Sequence, residues 1–333
     1  MSARILALLA LADEAPEADE LAEYLADPEP DVRRTALTVL SEATEDWAHG
    51  STQVAAALLD PDPSVRATAV ELLAELREVL VAGEEFTAAL GHATTHPEPA
   101  VRAAAVGALW RHHRIAAKEA ECYLADPDAG VRAEAVHALV SLRALCFAHL
   151  YATGPVAYEC AEQSATPLDT AAADSSAEVR IAVAGGLGTL ADPRGTSTLS
   201  ELATDPDTAV AAAAFTALAQ TGCPPHAAAL AGAALATPGL AAGALEQRDW
   251  QVREAAAKAL AAAPAELAAE PLTAATRDAN LDVRKAAVRS LGHLAPDHPE
   301  VPAALTIATE DPDADVRAYA RQALRRYPHP TER

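Results

Sequence analysis

The chain has 333 residues and a formal net charge of −23, from 25 Lys and Arg against 48 Asp and Glu. An acidic excess of that size repels phosphate backbones and argues against general nucleic-acid binding; its plain use is to keep a small-residue surface soluble. Apolar residues make up 51% of the chain but aromatics only 4%, so a core must be built from Ala, Leu and Val, and the abundance of Ala and Leu points to an all-α protein. The charge is uneven: residues 1–247 hold 13 basic against 35 acidic residues, residues 248–333 hold 12 against 13.

The first apolar stretch, Ile5 to Leu11, is too short for a bilayer span and lacks a cleavage region, so it reads as the first helix. No later stretch is long enough and free enough of charge to cross a membrane, and no membrane partner is expected. From residue 27 one motif recurs nine times. It stands as DPEPDVRRTALTVL at 27–40, DPDPSVRATAVELL at 60–73, HPEPAVRAAAVGAL at 96–109, DPDAGVRAEAVHAL at 126–139 and DSSAEVRIAVAGGL at 174–187. It continues as DPDTAVAAAAFTAL at 205–218, QRDWQVREAAAKAL at 247–260, DANLDVRKAAVRSL at 278–291 and DPDADVRAYARQAL at 311–324. The motif valines are Val32, Val65, Val101, Val131, Val179, Val210, Val252, Val283 and Val316, and most of their separations suit one helix–turn–helix unit.

Each column of the motif has a physical reason. Three residues before the valine stand Glu29, Asp62, Glu98, Asp128, Ser176, Asp207, Asp249, Asn280 and Asp313, of which seven are residue types that cap a helix N-terminus. Pro30, Pro63 and Pro99 suit the first helical position, and the Asp-Pro pairs upstream stop the preceding helix. Four after the valine is Ala in eight repeats and Val183 in the other, and eight after it is Leu in all nine. Those offsets share one helical face, where a small residue allows close approach and Leu fills the seam between repeats. The residue after the valine is Arg in eight repeats and Ala211 in the sixth, which predicts a ladder of guanidinium groups meeting turn carboxylates such as Asp27, Asp60 and Asp126.

One region departs from the array. Val131 and Val179 are 48 residues apart, which places an insertion at 141–169. Around it cluster Trp110, Tyr123, Phe147, Tyr151 and Tyr158, with Cys122, Cys146, Cys160, His112, His113, His137 and His149. Two readings stand: a bulkier core that seals a longer helix, or an aromatic patch that binds a partner. His112-His113 makes a poor bidentate metal site, since neighbours on a helix diverge by about 100°, and is expected at a helix surface. Gly185, Gly186 and Gly188 lie in a helical repeat and are expected to allow tight packing. The four cysteines, Cys122, Cys146, Cys160 and Cys223, have no CxxC spacing and read as reduced thiols of a cytosolic protein. No phosphate loop, dinucleotide fingerprint, nucleophile elbow or HExxH stands in the chain. No catalytic or metal-ligating residue and no cofactor is assigned.

A proline-aspartate turn, Val-Arg, then Ala and Leu at fixed offsets resembles the HEAT-repeat superfamily over residues 17–324. VRIAVAGGLGTLADPRGTSTLSELATDPDTAV at 179–210 looks like the short bacterial type of phycobilisome-lyase-like proteins. The resemblance implies one all-α array over 1–333, a right-handed α-solenoid of about nine helix pairs. Enzymatic relatives fit poorly. The His-Glu pairs of the di-iron hydroxylases of this superfamily are missing. The basic face of its DNA glycosylases is missing too, Asp249-Trp250 standing at a helix start. Bilin lyase subunits need a partner subunit that the sequence does not show.

The resemblance further implies that the second helices line the concave side. Six after each valine stand Thr38, Glu71, Gly107, His137, Gly185, Thr216, Lys258, Arg289 and Gln322, a series that runs from acidic or neutral to basic. Lys285, Arg321, Arg325 and Arg326 add positive charge near the last helix, either to receive an acidic segment or to cap a terminal repeat. The expected function is a cytosolic, non-catalytic scaffold or adaptor binding a protein or peptide in that groove. An inhibitor or immunity protein with an acidic surface, and a lyase-like subunit, are the alternatives.

Overall fold

A computed structural model describes residues 3–12, 16–43, 47–153, 165–191, 195–236, 246–294 and 300–327, without the side chains of 145–153, 165, 166, 233–236 and 246–249. Among the described residues there are 19 α-helices and no strand. Met1–Ser164 and Ala165–Arg333 form two compact units. In the first, α1 (Ala3–Ala12) precedes four helix pairs: α2 (Ala18–Leu25) with α3 (Pro30–Ala43), α4 (Trp47–Ala57) with α5 (Pro63–Glu75), α6 (Glu84–Ala93) with α7 (Pro99–Arg111), and α8 (Ala117–Tyr123) with α9 (Ala129–Thr153). In the second stand five pairs. They are α10 (Ala165–Ala172) with α11 (Ala177–Leu190), α12 (Thr196–Leu202) with α13 (Thr208–Thr221), and α14 (Pro225–Ala236) with α15 (Glu246–Ala259). α16 (Ala265–Ala275) with α17 (Leu281–Leu291) and α18 (Glu300–Ala308) with α19 (Ala314–Leu324) complete it.

Within each unit every second helix packs on the second helix of the next pair, so the core grows along one axis as the period of the motif requires. The residue four after the motif valine is fully buried in all nine repeats, from Ala36 and Ala69 to Val183, Ala287 and Ala320. The leucines eight after the valine are buried in eight repeats; Leu324, in the last described helix, is half-exposed. Small side chains at the closest approach let helices touch backbone to side chain. At Gly188 a Cβ would fall 2.9 Å from the Cβ of Ala217, so glycine is required there; Gly185 faces open space.

α1 is a further second helix that the nine-motif reading did not count. It packs on α3 as α3 packs on α5. Its sequence carries Arg4, Ala7 and Leu11 at the motif spacings, with Ala3 in place of the valine. The substitution of the valine hid it.

The two described ends of the 141–169 insertion belong to helices. Residues 141–153 continue α9, which reaches 25 residues, and Ala165–Ala172 is α10, the first helix of the next pair. Residues 154–164, with Tyr158 and Cys160, lie outside the described residues.

Pro30, Pro63 and Pro99 each open their helix, as expected. Asp62, Asp128, Asp207, Asn280 and Asp313 accept first-turn N–H groups at 2.8–3.3 Å. Two expected caps fail. Ser176 makes no side-chain bond at its helix start. Asp249 lies inside α15 and does not stand at a helix start.

The arginine column forms the expected ladder, and Arg33, Arg66, Arg102, Arg180 and Arg284 each face two ways. One terminal nitrogen donates to two carbonyls of its own turn: Arg33 to Asp27 and Pro28 at 2.7 and 3.2 Å, Arg284 to Asp278 and Ala279 at 3.0 and 3.2 Å. The other two nitrogens fork onto the carboxylate that opens the next turn. Arg33 meets Asp60, Arg102 meets Asp126, Arg180 meets Asp205, Arg253 meets Asp278 and Arg284 meets Asp311, at 2.7–3.3 Å. Arg4 meets Asp27 through Nε, while its Nη2 donates to Glu23 at 3.0 Å.

The third turn opens with His96 instead of Asp, and there Arg66 moves to Glu98, whose single oxygen Oε2 accepts from both Nε and Nη2 at 2.8 Å. Glu98 therefore serves the ladder and leaves its own helix start uncapped. The sixth repeat has Ala211 in the arginine position, and the residue that would open the seventh turn is Gln247, so guanidinium and carboxylate are missing together.

Candidate functional site

The valine column is buried except for half-exposed Val252, the Ala column is buried throughout and the Leu column except for Leu324, and the residues six after the valine form an exposed row on the second helices. A residue six after the valine is turned about 200° from the buried residue four after it, since each step is about 100°. Thr38, Glu71, His137, Gly185, Thr216, Lys258, Arg289 and Gln322 are all exposed. Gly107 is the exception and is buried: a Cβ there would fall 2.5 Å from Nη1 of Arg111, so glycine makes room for that guanidinium.

In the first unit this row carries a side-chain cluster across α7 and α9. The Trp110 indole N–H donates to Oε2 of Glu134 at 2.6 Å, and Arg111 donates to the other carboxylate oxygen at 3.3 Å. The Arg111 guanidinium lies 4.8 Å from the Trp110 ring centre, and the His137 ring stands 6.1 Å away, tilted by 34°. Trp110 and His137, singled out separately in the sequence, are thus neighbours. The rest of the expected aromatic group does not join them. Tyr123 belongs to the first helix α8, is half-buried and bonds Thr94; its hydroxyl pKa is raised chiefly by burial. The side chains of Phe147 and Tyr151 lie outside the described residues.

His112 is not the surface residue expected. It is half-buried, meets Phe86 edge-on at 5.4 Å, and its pKa is pushed down by burial first and then by Arg111, His113 and Arg114. His113 takes a left-handed φ of 56° and ends α7, with Arg114 N–H reaching the Leu109 carbonyl at 2.8 Å. Among the described residues no group of three His, Cys, Asp or Glu side chains is placed to hold a metal ion, and no helix is long and apolar enough to cross a membrane.

In the second unit the charges of the row are partly answered on site. Lys258 pairs with Glu254 at 2.6 Å, and Lys285 with Asp315 at 2.9 Å and Asp313 at 3.7 Å; carboxylate bonding raises the Lys285 pKa, Asp315 first. Arg289 differs: its guanidinium stacks 5.4 Å from the Tyr319 ring centre, and among the described residues no carboxylate pairs with it. It borders an open cleft of about 250 Å³ with His293, Tyr319, Gln322 and Arg326.

Glu134, Arg111, His293 and Tyr319 were not read from the sequence. The signal was present. Where two second helices lie side by side, the residue six after one valine faces the residue three after the next, as Gly107 faces Glu134 and Arg289 faces Tyr319. Reading offsets between repeats, not only within columns, finds these pairs.

A family profile described as HEAT repeats matches residues 18–109, 165–242 and 237–325. No curated protein matches the sequence. Among solved structures, an engineered protein is similar at a TM-score of 0.53 and 20% identity, over 96% of this chain and 90% of that one. Yeast importin-beta (Kap95p) is similar at 0.58 and 15% identity, over 96% of this chain and 48% of that one. Kap95 in its complex with Nup1 gives 0.58 and 14% identity over the same shares. The chain thus spans about half the length of the importin-beta it resembles, and the likeness is one of fold.

Proposed function

The chain belongs to the HEAT-repeat family, and from that premise we propose that it is a non-catalytic scaffold or adaptor that binds a partner protein or peptide along the exposed row of its second helices. One observation carries the reading: eight of the nine residues six after the valine are exposed and differ from repeat to repeat, while the columns that build the fold stay uniform. Positions under no packing demand are where a solenoid places its recognition surface. The similar Kap95p is described in a complex with Nup1 and in binding RanGDP, so protein binding accords with this architecture. The finer likeness of residues 179–210 to phycobilisome-lyase-like repeats belongs to the same proposal.

A second reading is supported by the acidity of residues 1–247: an inhibitor that covers a basic surface of its target. Site-specific photo-cross-linking in extract of the native host tests both. A cross-linker at Thr216 or Glu71 is expected to capture a defined protein that one at Glu270, on a first helix, does not. Equal capture from both faces refutes the binding row. A strongly basic enzyme or toxin as the captured protein, with its activity suppressed, supports inhibition over the adaptor role.

A further inference from the structure

The cleft between α17 and α19 is the one place on the exposed row where a cation is held in position without a described anionic partner. Arg33, Arg102, Arg180, Arg253 and Arg284 each fork onto a carboxylate, and Lys258 and Lys285 are paired as well. Arg289 instead holds its guanidinium over the Tyr319 ring, 5.4 Å from the ring centre, with its N–H donors free of any described carboxylate. His293 forms one wall, its Nδ1 held 2.7 Å from the Arg289 carbonyl, and exposed Gln322 another. Arg326 adds a second positive charge; one of its N–H groups is used on the Gly292 carbonyl at 3.0 Å. Capping the end of α17 explains Arg326 and also Tyr327, whose hydroxyl donates to Leu291. It does not explain Arg289, which touches no helix-end carbonyl with its side chain among the described residues.

Resting on the reading of this row as the binding face, we propose that the cleft takes the carboxylate of an Asp or Glu side chain from an acidic peptide segment. Arg289 serves as its planar counter-ion, Arg326 as a supporting charge and Gln322 as an amide donor. A guanidinium fork matches a carboxylate in two parallel hydrogen bonds. The volume, about 250 Å³, lies below the usual range of small-molecule sites and suits one side chain of an extended segment. The local charge favours a short acidic ligand over a long polyanion: residues 248–333 are nearly neutral, whereas residues 165–247 of the same unit hold 8 acidic against 2 basic residues.

Fluorescence anisotropy of a dye-labelled hexaglutamate peptide with the full chain at low ionic strength tests this. Saturable binding is expected, with no binding of the hexaglutamine analogue. Arg289→Gln, which removes the charge-assisted pair, and Gln322→Glu, which sets a competing carboxylate in the cleft, are each expected to weaken it about tenfold or more. Lys118→Gln, at an exposed position on the first helix α8, is expected to leave it unchanged. Absence of saturable binding overturns the site, as does equal affinity in wild type and both cleft variants with unchanged circular dichroism. Tighter binding of a single-stranded oligonucleotide of equal charge overturns it in favour of phosphate. These results bear on the cleft alone; the binding row stands or falls by the cross-linking.

Discussion

Replacing Arg102 with Met removes one rung of the ladder, and the geometry sets the cost. Arg102 donates to both oxygens of Asp126 at 2.9 and 2.7 Å, and the two side chains are 12% and 11% exposed. Breaking a buried pair from one side costs about 3–5 kcal/mol, mostly for the charge left behind. Asp126 keeps the Asp128 N–H at 2.9 Å and some water, which lowers the expected loss to about 2–4 kcal/mol.

Arg66 is the internal control. It makes the same two carbonyl bonds, to Asp60 and Pro61, but its partner Glu98 offers a single oxygen and is 36% exposed. Solvent screening there reduces the expected loss for Arg66→Met to about 1–2 kcal/mol. Urea unfolding followed by far-UV circular dichroism measures both. The cycle of Arg102→Met, Asp126→Asn and their combination should give a coupling of about 1–3 kcal/mol. An Arg66 loss equal to or above the Arg102 loss, or a purely additive cycle, refutes the account of the ladder.

Two further outcomes follow from the packing and the turns. Leu218→Ala empties a fully buried site on α13 and should cost about 2–5 kcal/mol in the same urea assay; a loss under about 1 kcal/mol contradicts its place in the core. Asp126 and Asp205 have pKa values held below the usual carboxylate range, chiefly by the side-chain bonds from Arg102 and Arg180. A depressed folded pKa gives stability that is complete above the unfolded value, about 3.9, and is lost as pH falls through the folded values. The urea midpoint should therefore fall as pH drops below about 4, and less steeply in Asp126→Asn with Asp205→Asn. An unchanged acid slope in that double variant sinks the assignment.

The fold was legible because repetition multiplies a weak signal. A single Val-Arg or a lone Leu means little, but the Leu column read nine times marks one helical face, and the structure buries eight of those leucines. What escaped was where the pattern is broken at a single position. Ala3 stands for a valine and hides the place of α1 in the array, and Asp249, expected as a cap, lies within α15. The candidate site was half legible. Exposure of the row followed from helical angles alone. The partners on the row did not, because they depend on which offsets of neighbouring repeats come face to face. Lys258 appeared as free positive charge in the groove, yet Glu254 sits one turn earlier on the same helix, a pairing at i, i+4 spacing that the column reading passed over.

With Ala211 in place of the arginine and Gln247 in place of the turn carboxylate, the seam between α13 and α15 has a different thermodynamic character from its neighbours. Seams fastened by a guanidinium fork carry an ionic component and soften in acid or concentrated salt. This one is joined by apolar surface without a fork, including Leu218 and Leu260, so salt strengthens it if anything and cooling loosens it. The same array thus answers chemical and thermal stress at different joints.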